Sequence, residues 1–293
     1  MNLWNNRSWT PMLLKEIYKP FNSKDYIYEI KFDGIRAIIY ASPQTFKIVN
    51  RHNVDITPIY PELKKIQTLV KGKTIFDGEI IMMNNGVPSF ENLQKRVHLK
   101  DKNKIKYHSL NNPVVFICFD ILHNNKNLID LPLIKRKELL SKFPDNDNFI
   151  KSIWIEEDGI SLFNNIKKLN LEGIVAKEKK SLYYLNCRTD AWLKIKNIKK
   201  GTFIIGGYIE NKNKFTISLL LGEKKNNKLH FVGKVTIGKK NDIYNKIIKL
   251  KKRTISPFIN FKEKNMVYIV PNLKCKVNYL ERTKNNHLRQ PFI

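Results

Sequence analysis

Apolar and polar positions alternate over much of this chain. Short β-branched and aromatic runs cover residues 28–32, 35–41, 46–50, 74–81, 114–121, 173–177 and 192–196. Most of these are bounded by Gly, Pro, Asn or Asp, the mark of strands in a sheet. Between them, apolar positions at helical spacing predict helices around 58–70, 132–142 and 159–169, with a further helix over Phe90 to Leu99. Lys100 to Asn112 is predominantly polar and predicts a mobile surface loop. The pattern is α+β with antiparallel sheets.

After Lys196 the character changes. Thr202 to Glu210, Phe215 to Leu221 and Leu229 to Ile237 read as three strands separated by Asn/Lys/Gly turns. Ile243, Ile247 and Leu250 then stand at i, i+4 and i+7 of a helix, and two more strands follow near Met266–Val270 and Lys274–Arg282. Three strands, a helix and two strands is the order of the OB-fold, a small five-stranded β-barrel. Another small β-domain would give a similar pattern. The expected division is an α+β domain over residues 1–198 and a β-barrel domain over 199–293.

Polar residues at particular strand positions carry the candidate chemistry. Asp33-Gly34, between the first two predicted strands, is a tight-turn signal of the kind that joins a hairpin. Glu29 and Lys31 precede it on one strand face, because side chains alternate with a period of two. Lys194 and Lys196 likewise share a face, with Leu193 and Ile195 on the other. They suit a phosphate, or form the solvated side of an amphipathic strand. Glu79 and Glu172 each sit beside a glycine in an apolar strand, where a carboxylate is costly to bury unless paired or coordinated. Mg²⁺ takes a few such oxygens together with substrate phosphates, whereas an isolated acid of this kind reads as a surface turn residue.

Composition narrows the class. At 293 residues and 42% hydrophobic content there is room for one large domain or two ordinary ones with real cores. The net charge of +28 points to a polyanionic partner. Lys, Asn and Ile are abundant and Arg occurs only nine times, a bias that an AT-rich genome produces by itself. The distribution says more. Residues 199–293 hold 22 Lys/Arg against five Asp/Glu, leaving a net +11 for the larger preceding part, so the C-terminal segment is the better nucleic-acid candidate. Cys118, Cys187 and Cys275 lack C-x-x-C spacing, the histidines show no ligand pairing, and no Gly-rich phosphate loop is present. Any metal is therefore expected on carboxylates. No apolar run approaches bilayer length and no leader pattern opens the chain, so a cytoplasmic protein is expected, nucleoid-associated if bacterial.

The segment Lys31-Phe32-Asp33-Gly34-Ile35-Arg36 resembles the Lys-x-Asp-Gly-x-Arg attachment motif of covalent nucleotidyltransferases, the superfamily of ATP-dependent DNA ligases, RNA ligases and capping enzymes. The later motifs follow in order as Asn50-Arg51, Phe76-Asp77-Gly78-Glu79, Phe119-Asp120-Ile121-Leu122, Glu172 to Lys177 and Trp192 to Lys196. Segments between them, Pro88 to Arg96 among these, are most similar to the ligase domain of bacterial end-joining DNA ligases of the LigD type, over about Pro11 to Pro291. The resemblance implies an adenylation domain followed by an OB-fold, and sealing of 3′-hydroxyl/5′-phosphate breaks in duplex DNA with ATP and Mg²⁺ (or Mn²⁺). It implies Lys31 as the nucleophile that carries AMP, Asp33 as an essential motif residue or a turn former, and Lys194 and Lys196 at the α-phosphate. Arg36 and Glu79 would reach the ribose, Arg51 the phosphate region and DNA end, and Glu29 the adenine amino group. Phe119 would stack on the adenine, unless the alternation Phe116, Cys118, Asp120 makes it plain core. Glu172, with Glu79, would hold the metal. A lysine of ordinary pKa, about 10.4, is neutral in only about one molecule in 2,500 at pH 7, so neighbouring cations are expected to assist it.

One departure accompanies the resemblance. Related ligases continue beyond a segment like Leu288–Phe292 into an Arg-x-Asp-Lys motif that orients pyrophosphate, whereas this chain ends at Ile293. The expectation is that Arg282 or Arg289 substitutes, that self-adenylylation is slow, or that the chain is truncated. A Ku-like end-binding protein and a monomeric state are further expectations. The rivals are an RNA ligase, a capping-type nucleotidyltransferase and a catalytically weak DNA-end-binding scaffold.

Overall fold

The structure, a computed structural model, describes residues 2–84, 86–212, 215–263 and 265–293. The chain divides into two compact units, Met1–Asn197 and Ile198–Ile293. The first contains two sheets. One has five strands in the order Leu13–Ile17, Arg188–Lys196, Gly173–Glu178, Ser23–Lys31, Trp154–Glu157. The other runs Phe46–Asn50, Ile35–Ala41, Thr74–Asn84, Val114–Asn124, Phe149–Lys151, with Val87–Pro88 against the end of Thr74–Asn84. Pairing is antiparallel except at two places: Leu13–Ile17 runs parallel to Arg188–Lys196, and Phe149–Lys151 parallel to Val114–Asn124. The expectation of antiparallel sheets therefore holds for the interior and fails at those two edges.

The Asp33-Gly34 segment does not close a hairpin. Ser23–Lys31 pairs with strands of the five-stranded sheet and Ile35–Ala41 with strands of the other, so the motif is the corner where the chain changes sheets. Glycine is required there by close packing: a Cβ at Gly34 would run into the Ile80 carbonyl oxygen. An Asp-Gly pair signals a sharp change of direction, but which strands pair is decided by distant partners.

Two other expectations change, and three strands were not expected. Residues 57–69 form 3₁₀ segments, Thr57–Ile59 and Pro61–Leu69, rather than an α-helix. Pro58 and Pro61 remove amide donors, and the buried Tyr60, Leu63 and Ile66 recur every three residues, the 3₁₀ period. Lys102–Asn111 is a helix, not a loop; the Asp101 carboxylate accepts from the Lys104 amide at its start and Ile105 is its buried anchor. The strands Leu13–Ile17, Phe149–Lys151 and Trp154–Glu157 carry too little alternation to stand out and are held by their partners.

The second unit has a sheet ordered Lys228–Gly238, Thr216–Lys225, Lys199–Glu210, Val267–Tyr279, Lys252–Arg253, with a helix at Asp242–Ile247. Part of the predicted turn before Phe215 lies outside the described residues. The two expected C-terminal strands are one, Val267–Tyr279, whose pairing jumps from Leu273 opposite Ile205 to Tyr268 opposite Gly207. The intervening residues leave this ladder, and Ile269 pairs instead with Lys252. Glu281–Arg282 pairs with Leu288–Arg289 in a short hairpin. Arg282 donates to Glu223 at 2.8 Å and Arg289 to Glu281 at 2.8 Å, so both basic residues of this segment are engaged by carboxylates.

Candidate active site

Three adjacent strands of the five-stranded sheet turn one face to the site. In register, Lys31 and Lys196 both stand opposite Gly173, Glu29 and Lys194 opposite Val175, and Trp192 opposite Lys177. Alternation puts all six of these polar and aromatic residues on one side. Tyr28, Ile30, Ile174, Ala176, Leu193 and Ile195 occupy the other, packed with Phe163 and Ile166 of the helix Gly159–Lys168. Gly173 has φ of +154°, and a Cβ there would strike the Ile195 carbonyl oxygen.

The second sheet contributes Arg36, Asp77, Glu79 and Phe119. Arg36 is paired directly with Glu79. Phe119 owes its direction to a β-bulge, because Asp77 stands opposite Asp120 and Gly78 opposite Cys118, leaving Phe119 as the extra residue. It therefore leaves the core alternation of Phe116 and Cys118 and meets Trp192 edge-on, ring centroids 6.2 Å apart. The Lys177 ammonium lies 4.2 Å from its ring centroid and the Arg36 guanidinium 5.4 Å. With Glu29, Lys31 and Glu79 these groups line a narrow cavity of about 60 Å³.

Lys31 Nζ donates to Glu172 Oε2 at 2.7 Å. The carboxyl of Glu79 stands in the field of both. Burial pushes it up to about 8; Lys31 and Arg36 pull it back, and the negative Glu172 and Asp77 add to the rise. Between the ordinary carboxyl value and about 8 the folded chain therefore keeps a proton that the unfolded chain has lost, so stability falls as pH rises through that window. The Glu79→Gln variant removes this dependence. From pH 5 to pH 8 its melting temperature gains on that of the parent protein, by roughly 2 to 4 kcal/mol in stability, and parallel melting curves that never diverge would count against a protonated Glu79.

Arg36 is held on three sides. Its Nε and Nη2 donate to Asp77 at 3.1 and 2.7 Å, and Nη1 donates to the Met12 carbonyl at 2.7 Å. Tyr183 completes the group, its hydroxyl donating to Asp77 at 2.6 Å. Glu29 is buried, with Oε2 accepting from Lys177 at 2.9 Å and from the Ser152 hydroxyl at 3.0 Å, while Oε1 pairs with Lys137. Burial raises the Glu29 carboxyl, but Lys137 and Lys177 outweigh it and hold it below the usual range. Lys177 itself is lowered to about 8 by burial, against the pull of Glu29. Lys194 and Lys196 both reach Glu16 Oε2, at 3.0 and 3.3 Å.

Of the sequence candidates, Glu29, Lys31, Arg36, Glu79 and Phe119 line the cavity, and Glu172, Lys194 and Lys196 adjoin Lys31 through the ion pair and the shared register. Asp33 is half-buried at the sheet-to-sheet corner. Arg51 is not brought in: it is exposed beyond the strand Phe46–Asn50, and its Nε donates to His52. Lys177, Lys137, Tyr183 and Glu16 were missed. Lys177 was legible, being in phase with Gly173 and Val175; Lys137 and Tyr183 act through tertiary packing that no local pattern announces.

Among the described residues no group of three His, Cys, Asp or Glu is placed to hold a metal. Glu79 and Glu172 nevertheless fit a divalent cation that takes its remaining ligands from a phosphate. Burial, reinforced by Glu172, raises the Glu79 carboxyl, and a divalent cation beside it would favour its charged form.

The two units define a nucleotidyltransferase domain followed in the chain by an OB-fold domain. A family model for the ATP dependent DNA ligase domain matches residues 11–196, and one for the ATP dependent DNA ligase C terminal region matches 212–293. This chain belongs to the ATP-dependent DNA ligase family. The SPbeta prophage-derived DNA ligase-like protein LigB of Bacillus subtilis is 35% identical over 71% of this chain and 75% of its own length. The multifunctional non-homologous end joining protein LigD of Mycolicibacterium smegmatis is 27% identical over 97% of this chain, which spans only 37% of that protein. Among solved structures, mycobacterial DNA ligase D complexed with ATP and MES aligns over 100% of this chain and 95% of its own, with a TM-score of 0.61 at 24% identity. Among the described residues, no helix is long and apolar enough to cross a membrane.

Proposed function

We propose that this protein joins 3′-hydroxyl and 5′-phosphate ends in duplex DNA through a lysyl-AMP on Lys31. The observation that carries the reading is the common face on which Lys31, Lys194 and Lys196 stand, with Glu172 on the Lys31 amine at 2.7 Å. In the first step Lys31 Nζ, having given up its proton, attacks the α-phosphorus of ATP, forming the P–N bond as pyrophosphate leaves. A DNA 5′-phosphate oxygen then attacks the same phosphorus, and the lysine leaves and regains its proton. Finally the 3′-hydroxyl attacks the 5′-phosphate and AMP departs. Each transfer is governed by positioning and charge stabilisation.

Lys194 and Lys196 supply positive charge to the α-phosphate, and Arg36, fixed by Asp77 and Tyr183, meets the ribose side of the nucleotide. Phe119 and Trp192 form the apolar wall for the base, and Glu29 is the acceptor for its amino group. Glu79 and Glu172 would hold Mg²⁺, which would supply positive charge to the phosphates. Asp33 shapes the corner. Residues to about 198 form the catalytic domain, and the basic residues 199–293 the OB-fold domain that meets the DNA backbone. The end-joining relatives support a role in break repair, to which we add a Ku-like end-binding partner and a cytoplasmic location.

The test is transfer of label from α-labelled ATP. Label appears on the protein, moves to the 5′ end of a nicked DNA duplex, and is released as AMP when the nick closes. Label that stays on the protein with DNA but chases into a nicked RNA duplex would favour an RNA ligase, and tight DNA binding with no label at all would favour a scaffold.

A further inference from the structure

The strand Leu13–Ile17 is the edge of the five-stranded sheet and runs parallel to Arg188–Lys196. Its register jumps after Leu14: Leu14 stands opposite Thr189 and Lys15 opposite Leu193, so Asp190 to Trp192 are looped out of the pairing. That jump places Glu16 directly opposite Lys194. Ile17 then packs into the core on the far face, and Glu16 projects to the face that carries the site lysines.

The two amines converge on one atom. Lys194 Nζ is 3.0 Å and Lys196 Nζ 3.3 Å from Glu16 Oε2, with side-chain exposures of 22% and 18% for the lysines and 30% for the acid. A single anionic oxygen shared by two ammonium groups is also what a non-bridging phosphate oxygen would provide. Acids are scarce here, 26 against 54 Lys and Arg, and a partly exposed lysine needs no partner to stay solvated. An acid in this position has therefore to be explained by what it does to the lysines. Partial burial raises the Glu16 carboxyl, but Lys194 and Lys196 hold it below the ordinary range.

We propose that Glu16 is a built-in competitor for the two lysines: its carboxylate occupies Lys194 and Lys196 in the nucleotide-free protein and yields them to the α-phosphate of ATP. Glu16 touches no reacting atom and is a positioning residue. It keeps two like charges from repelling each other in the empty site and sets how tightly a nucleotide phosphate is held there. The inference rests on the phosphate-binding role of the two lysines given above.

The direction of the effect separates this from a structural role. Because the pairs are partly solvated, the competition is modest, and Glu16→Gln lowers the KM for ATP in lysine adenylylation by roughly three- to tenfold, with the maximal rate of that step unchanged. Glu16→Ala does the same. In a Lys194→Met, Lys196→Met background the Glu16→Gln change has no effect on KM. An unchanged or raised KM in Glu16→Gln, with the two lysine substitutions still raising KM, would overturn the competitor role alone. Lysine substitutions that leave KM for ATP untouched would instead remove the phosphate-binding role, and the inference with it.

Discussion

Replacing Lys31 with alanine abolishes transfer of label from α-labelled ATP to the protein and lowers nick sealing from ATP by roughly a thousandfold or more. Sealing of a nick that already carries a 5′-adenylate survives, because that step needs the 3′-hydroxyl and the phosphate contacts but no new lysyl-AMP. The substitution leaves Glu172 without the Lys31 amine that it accepts from at 2.7 Å, so a small loss of stability accompanies it. A folded variant is therefore expected, and its melting curve serves as the control. Retained label on the alanine variant would move the nucleophile elsewhere. Lys177 is the amine to examine next, because burial lowers it to about 8 and leaves it more often neutral than a solvated lysine. Its tie to Glu29 at 2.9 Å nevertheless makes it a poor nucleophile.

The same pair of lysines shows how far the sequence could be read. Placing Lys31 with Glu29, and Lys194 with Lys196, needed only the period of two, and the structure keeps both pairs in phase across three strands. Where the period is broken, the reading fails or stays open. Phe119 could not be assigned from alternation, because the bulge that turns it from the core to the cavity is created by pairing with Asp77 and Gly78, some forty positions earlier in the chain. Glu16 went unnoticed for a related reason: its alignment with Lys194 follows from a register jump on a strand too short to announce itself. Asp33-Gly34 gave the position of a sharp bend but the wrong topology, since the choice between hairpin and corner belongs to the strands that accept each side. Charged pairs sunk in the core were the least visible, because in the sequence their members look like surface residues.

The largest stability effect is expected from one such pair. Asp120 and Arg136 are both fully buried, joined by Nε and Nη2 donating to the two carboxylate oxygens at 2.9 Å each. Arg136 Nη1 also donates to the Ser181 carbonyl at 3.2 Å, and Ser181 Oγ in turn accepts from the Trp192 indole at 3.2 Å. The pair thus links the bulge beside Phe119 to the opposite wall of the cavity. Removing one partner strands the other charge in a core without solvent. Arg136→Met alone, or Asp120→Leu alone, is expected to cost about 3–5 kcal/mol. In a chain of this size that lowers the melting temperature by roughly 6 to 20 °C. The double variant Asp120→Leu, Arg136→Met leaves neither charge of the pair stranded, so it should lose less than the worse of the two single variants even though it has changed more of the core. Its activity answers a separate question. If the pair serves only stability, the double variant ligates at the parental rate; if it sets the bulge, Phe119 loses its place in the cavity and the KM for ATP rises while the melting temperature recovers. Additive losses from the two single changes would show that the two side chains do not act as a buried pair.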